Sequence, residues 1–535
     1  MLQTYAAPAA RSRSATAPFA RRALCALLAV ALGLAPAPAV VQAQQAPELP
    51  SLGEVAADDL SPANERKLGE AIMRQAARDP TYLPDPDSSE YLNALGYQLV
   101  ASSPARHMDF GFFFVRDPML NAFALPGGFI GVHTGLIIAS QSESELAAVL
   151  AHEIGHVEQR HIARMLARQK ESTAIALGTL LLALLAARSN SSSSSDLTQA
   201  AILGGQAAAV QQQLNFSREA EREADRVGFQ ILVDAGFDPR AMQTFFGRLQ
   251  QGSRIYESAA PAYLRTHPLT TERIADIQTR VRESRVRQRA DSLDFQLVRA
   301  RLRVLQEPSV QGARDAQAHF SAQIRNRSAA SEAAAQYGLA LASLQLGQPK
   351  AAHEAALAAR RVVRQPTAML DKLVSQTRFA AAPTGPAGAA EREAAIALAR
   401  EATARFPLSR LTAIHYAELL QQDARHDAAV GFLREQLALP RTDTLYYSLL
   451  ARSYAELGRR TLQHQAVAEA YLLMGAAPAA MEQLQLARKA ADADFYVLSE
   501  VDARLREVTQ QLKEQREEAL RRGRRPDDES QKSRK

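Results

Sequence analysis

The sequence predicts an α+β chain in two parts. The first is a mainly helical domain with a small β-sheet around a metal site, and the second is an all-α array of helix pairs. Three observations carry this reading. His152-Glu153-Ile154-Gly155-His156 lies inside a helical pattern, Phe- and Val-rich extended segments precede it, and from about Ala313 the text changes to Ala-rich helical pairs. The 535 residues are 47% hydrophobic and 22% charged, which excludes a wholly disordered or collagenous chain. Aromatics at 6%, no Trp and frequent Ala favour closely packed helices over a β-sandwich.

The N-terminus reads as an export signal. Arg11, Arg13, Arg21 and Arg22 precede an apolar run from Ala23 to Leu34, followed by Pro36, Pro38 and Val41-Gln42-Ala43. A basic region, a short apolar core and a small-residue site make a cleavable secretory leader, too short to span a bilayer. A mitochondrial transit peptide is the competing reading, and the continuous rather than amphipathic apolar block favours export. Cleavage after Ala43 removes four Arg and Cys25, the one Cys of the chain, so the exported protein carries no thiol into an oxidising compartment. The domain plan is a leader at 1–43, a metal-site domain at 44–295, a helical array at 296–512 and a charged, disordered tail at 513–535.

After a Pro-dotted lead-in, helical patterning starts at Ser61-Pro62, where Ser caps and Pro fits the first turn. Asp109 to Arg116 reads as a strand. Asn121 to Pro126 and Phe129 to Val132 read as two short extended segments around Gly127-Gly128. Ser142 and Glu145 have the spacing of a capping box, opening a helix that continues through Leu146, Val149, Leu150, Ile154 and Val157. Apolar stretches follow at 173–187 and 200–210. They suit a core helix hairpin, with a membrane-surface or lid role as the alternative.

Windows in the C-terminal half share one template of small and large residues. Examples are Leu339-Ala340 to Gly347, Ala352 and Ala359, then Leu450-Ala451, Tyr454 and Gly458, then Ala468, Tyr471, Gly475, Ala480, Leu484 and Ala487. Ala395, Ala399, Ala402 and Pro407 fit a second helix of such a unit, as do Ala429 and Leu433, while the Pro/Gly-rich 381–389 interrupts the period. The alternation resembles tetratricopeptide repeats, which form concave surfaces for extended partners.

Helical geometry places His152 and His156 one turn apart on one face, where both imidazoles reach one ion. Glu153 falls beside them, where a carboxylate takes a proton from water. A catalytic zinc needs a third protein ligand. The H-E-x-x-H-x-x-G-x-x-H arrangement fails, because Gln159 stands at the Gly position and His161 comes one residue early. A carboxylate from the helix at 215–228 is the other option. Glu221 and Asp225 lie four apart on one face, with Glu219 and Glu223 as alternatives. His133 and His161 read as structural.

His152 to His156, Glu221-x-x-x-Asp225 with Ala224, and Asn121-Ala-Phe-Ala-Leu-Pro-Gly-Gly resemble the gluzincin family that includes HtpX and the CAAX prenyl proteases. The similarity is closest to its periplasmic BepA-type beta-barrel assembly-enhancing members, which join this domain to C-terminal tetratricopeptide repeats. The resemblance implies a zincin-type fold and one Zn2+ per chain, with Glu221 as third ligand beside His152 and His156. It implies catalytic roles for Glu153, Asp225 and Arg273, the last near the oxyanion of the intermediate. It implies that Asn121, Ala122 and Phe123 pair with substrate backbone. Thr266-His267-Pro268 also fits that pattern, and there the His occupies the zinc's open position and keeps the enzyme latent; without the resemblance His267 reads as a surface-loop residue.

The expected function is therefore a periplasmic metalloendopeptidase acting on unfolded or misassembled polypeptides in outer-membrane protein assembly and quality control. Its partners would include the beta-barrel assembly machinery. The alternative is a tetratricopeptide chaperone or adaptor whose protease is largely latent. Unlike HtpX, the chain has no apolar run long enough to span, which fits a soluble or peripheral enzyme. The formal charge of +6 does not argue for nucleic acid. Four positive charges lie in the leader and a net three in the tail, and no P-loop, dinucleotide or nucleic-acid motif occurs.

Overall fold

The computed structural model describes residues 61–167, 218–255, 262–285, 287–439, 443–492 and 494–523. The expected leader, the apolar stretches at 173–187 and 200–210, and residues 524–535 lie outside them.

Helix α1 (Pro62–Ala76) begins as its sequence dictates, with the Asn64 amide donating to Ser61 Oγ and Pro62 in the first turn. Strand β1 (Tyr82–Leu83) leads into α2 (Pro86–Ala101), capped by Asp85. Strands β2 (Gly111–Val115), β3 (Ala122–Leu125) and β4 (Phe129–His133) complete a sheet of order β1-β2-β4-β3. β2 and β4 run parallel, with Phe114 opposite Val132, and the outer pairs are antiparallel. The turn between β3 and β4 needs both glycines. Gly127 and Gly128 have φ of 75° and 86°, and a Cβ on Gly128 would lie 2.4 Å from the Asp109 carbonyl oxygen. β3 is left as an outer strand of the sheet.

After α3 (Thr134–Ala139) comes α4 (Glu143–Glu158), which carries the His-Glu motif. Its cap is half of the expected box. Ser142 Oγ accepts the Glu145 amide, whereas the Glu145 carboxylate accepts the Gln141 amide at 2.8 Å and pairs with Arg248. α4 is buried from Glu143 to Val157, so its polar residues, His152, Glu153 and His156 among them, lie inside the protein. After α5 (His161–Ala167), helix α6 (Arg218–Asp234) lies against α4. A Cβ on Gly155 would sit 2.9 Å from the Ala224 carbonyl oxygen, and one on Gly228 2.8 Å from the His152 amide. These two glycines let the helices meet backbone to backbone. Helices α7 (Arg240–Ile255), α8 (Ala262–Thr266) and α9 (Thr271–Glu283) complete this part.

The array opens with α10 (Leu293–Leu305), α11 (Val310–Arg325), α12 (Glu332–Gln345), α13 (Pro349–Arg361) and α14 (Ala368–Ala381). It continues with α15 (Ala389–Arg405), α16 (Arg410–Gln422), α17 (His426–Leu437) and α18 (Thr444–Glu456). It ends with α19 (Arg460–Leu473), α20 (Ala477–Lys489) and α21 (Phe495–Gly523). Sequential neighbours pack together, with Ala340, Ala356, Ala359, Ala429, Ala480 and Ala487 fully buried where helices touch. Gly347, Gly458 and Gly475 take left-handed φ of 68° to 70° in the inter-helix turns, and Ala424 makes the same turn at 57°. The Pro/Gly-rich interruption forms a short 3-10 turn, Pro386–Gly388, and pairing resumes at α15.

One apolar core runs from Leu83 through α4 and α6 to Leu411, so the first helices of the array share it with the metal-site part. A buried charge cluster reinforces that junction. Asp85 and Asp87 at the start of α2 pair with Arg301 of α10 at 2.5 and 3.1 Å, and Asp87 also pairs with Lys372 of α14. Among the described residues no helix is long and apolar enough to cross a membrane.

Candidate metal centre

Three elements bring the predicted donors together. α4 supplies His152 and His156, α6 supplies Glu221, and the residue after α8 is His267. One ligand atom from each lies within 4.8 Å of all the others, and all four residues are buried. His152 Nε2 and His156 Nε2 are 3.0 Å apart. Glu221 Oε1 lies 3.4 Å from His156 Nε2 and 2.9 Å from His267 Nδ1, which is 3.4 Å from His152 Nε2. Donors at about 2.0–2.1 Å from one tetrahedral ion stand roughly 3.3 Å from each other, so these separations suit a single ion.

The donor chemistry fits a metal for a second reason. Two imidazole lone pairs facing at 3.0 Å repel unless a proton or cation lies between them. Glu153, with no exposed surface, has neither carboxylate oxygen in a well-formed hydrogen bond. Such a group is costly in an apolar interior and reasonable beside bound water and an ion. His267 Nε2 lies 3.6 Å from Glu153 Oε1.

Behind the donors stands a salt-bridged layer. His152 Nδ1 is 2.9 Å from Asp225 Oδ1, which orients the ring. Arg273 of α9, 2% exposed, donates to both oxygens of Asp225 at 2.6 and 2.7 Å and reaches Glu221 Oε2 at 2.7 Å. Its Nη1 also donates to the Pro268 carbonyl at 2.8 Å, which ties the His267 segment to the site. The Tyr263 ring stacks on His267 with centroids 4.6 Å apart, and the Tyr263 amide donates to the Leu120 carbonyl just before β3.

The electrostatics follow from this packing. Burial would raise Glu221, yet His267 and the hydrogen bonds from three imidazoles hold its carboxyl well below the usual range. Burial likewise opposes charge on His152, but its bonds to Asp225 and Glu221 carry it up to about 10. Burial pushes His156 well below its ordinary value and pushes Glu153 up, the latter against the pull of His267 and His152. Asp225 is held down by Arg273 against its burial.

The geometry separates the three glutamates that spacing alone left open. Glu221 faces the cluster, Glu219 is largely exposed, and Glu223 accepts from His161 Nε2 at 3.1 Å. His161, read as structural from sequence, lies against His156, Nδ1 to Nδ1 at 2.9 Å. Its signal was weak, because it falls five positions after His156, a spacing that a continued helix does not bring together. Arg273 was expected beside a substrate carbonyl, and its donors instead face Asp225, Glu221 and Pro268. The expected substrate strand forms at the sheet's edge as β3, beginning at Ala122, with Asn121 just outside it. The Asn121 carbonyl accepts the His133 amide, and the Ala124 amide of β3 approaches Glu153.

Two His four apart on one helix with a Glu beside the first, as in α4, is the pattern of metalloprotease helices. Residues 86–281, which contain every donor described above, match peptidase family M48. It is 36% identical over 263 residues to the beta-barrel assembly-enhancing protease of Escherichia coli K12, covering 48% of this chain and 52% of that protein. A Vibrio cholerae protein given that name provisionally is 42% identical over 259 residues, with 48% and 52% covered. The mitochondrial metalloendopeptidase OMA1 of Schizosaccharomyces pombe is 31% identical over 208 residues, covering 39% of this chain and 56% of OMA1. The chain thus spans about half the length of the curated relatives it matches.

Proposed function

We propose that this chain is an exported zinc metalloendopeptidase of the periplasm. It would cleave unfolded or misassembled polypeptides during outer-membrane β-barrel assembly and quality control. The observation that carries the reading is the convergence of His152, His156, Glu221 and His267 on one point beside the unsatisfied Glu153 carboxylate. His152, His156 and Glu221 hold the zinc. When bound, the ion polarises a peptide carbonyl and acidifies water. Glu153 takes the proton of the attacking water and returns it to the leaving amine. Asp225 fixes the His152 ring, and Arg273 holds Asp225 and Glu221 in place. The outer strand β3, with Asn121, Ala122 and Phe123, aligns an extended substrate by strand addition next to Glu153.

His267 makes the resting site latent, because its Nδ1 stands among the donors where a substrate carbonyl has to come. The helical array receives clients or docks the protease on the assembly machinery. The closed site favours one further reading, an adaptor whose array does the main work while its protease stays mostly shut. Casein cleavage separates these. His267→Ala should raise hydrolysis several-fold, and adding Glu153→Gln should lower it about 10²–10⁴-fold with zinc content unchanged. Client maturation that survives Glu153→Gln would favour the adaptor.

A further inference from the structure

We propose that His161 and Glu223 form a positioning relay that fixes the ring tautomer of His156 for metal binding; the relay rests on the metal reading given above. His156 points Nε2 into the cluster, 3.0 Å from His152 Nε2 and 3.4 Å from Glu221 Oε1. A neutral imidazole that offers Nε2 to a metal carries its proton on Nδ1. That Nδ1 lies 2.9 Å from His161 Nδ1, so His156 donates and His161 accepts. The His161 proton is then on Nε2, which donates to Glu223 Oε2 at 3.1 Å. Arg164 Nη2 donates to the same oxygen at 3.0 Å and holds the carboxylate. In this assignment every N–H of the relay meets an acceptor. The opposite one turns a proton of His156 into the donor cluster and sets the His161 lone pair against a carboxylate.

The backbone is bent to build this contact. On a continued helix, residue 161 would stand about 140° round the axis from residue 156, and the two rings could not meet. Instead α4 ends at Glu158 and Arg160 takes a left-handed φ of 50°, unusual for a residue with a side chain. Its guanidinium is anchored on buried Glu65 at 3.2 Å. The reversal starts α5 at His161 and brings its ring centroid to 4.9 Å from that of His156.

The relay also mirrors the support of the other imidazole. His152 leans directly on Asp225, which Arg273 holds; His156 leans through His161 on Glu223, which Arg164 holds. α6 therefore presents Glu221 to the donor cluster and Glu223 and Asp225 to the rings behind it.

The test is zinc affinity of the full chain, measured by competition with a chromophoric chelator for wild type, His161→Leu and His161→Asn. The Asn side-chain oxygen can stand where Nδ1 accepts, so Asn keeps the acceptor that Leu removes. Leu should weaken zinc binding about 10–100-fold, and Asn should recover to within about threefold of wild type. Leu within threefold of wild type, or Asn as weak as Leu, overturns the relay. A wild type that binds no zinc defeats the metal reading itself, a different outcome. Should His161→Leu not fold, Glu223→Ala at a partly exposed position carries the same test. A loss of about tenfold supports the relay, and unchanged affinity overturns it.

Discussion

The metal centre and the helical array bury different kinds of side chain. Around the metal centre, His152, Glu153, His156, Glu221, Asp225, His267 and Arg273 are all at most 2% exposed, and all but Glu153 are closely paired. Along the array the interior is largely alanine, with large residues filling between the contacts. Buried polar side chains occur there too, as where Gln421 Nε2 donates to Leu449 O and Ser453 Oγ. Charge is buried at the metal centre and where Asp85 and Asp87 meet Arg301 and Lys372, and apart from Glu153 these charges are closely paired, because an unmatched one is very costly. Alanine is buried where the task is to bring helices together and leave their outer faces for a partner.

That contrast can be broken on either side. Arg273→Ala should have the largest effect on stability, about 3–5 kcal/mol by urea unfolding, because it strands Asp225 and Glu221 without their cation. A loss below about 1 kcal/mol would mean that the buried charges do not depend on one another. Ala356→Leu, at a fully buried contact between α12 and α13 and their neighbours, should cost about 1–3 kcal/mol by overpacking. It should leave zinc affinity at the wild-type value, and a coupled loss of metal would contradict the division of labour. The smallest effect has the opposite sign. Ala424→Gly at φ 57° should stabilise the chain by about 1 kcal/mol, since glycine takes that turn without strain. A lower thermal midpoint would refute it.

Sequence legibility divides along physical lines. Local rules fixed the ends of elements, so Ser61-Pro62, Ser142 and the Gly127-Gly128 turn were readable where they occur. The i, i+4 spacing of His152 and His156 was readable because both ligands lie on one helix. Glu221 was not separable by spacing from Glu219 and Glu223, because the choice depends on how α6 crosses α4. Gly155 and Gly228 determine that crossing, and glycines inside helices were the available hint. His161 was missed because its contact depends on one left-handed residue, Arg160, and nothing local announces that conformation. Likewise Gly347, Gly458 and Gly475 marked repeat turns, while Ala424 makes the same turn with no glycine to mark it.

The claim that His152, His156 and Glu221 hold one zinc ion is tested most directly by metal analysis of the purified chain beside Glu221→Gln. Wild type should contain about one zinc per chain, and the variant, deprived of its charged ligand, should lose most of it on dialysis against a weak chelator. Wild type without stoichiometric metal, or Glu221→Gln retaining zinc as wild type does, would contradict the account.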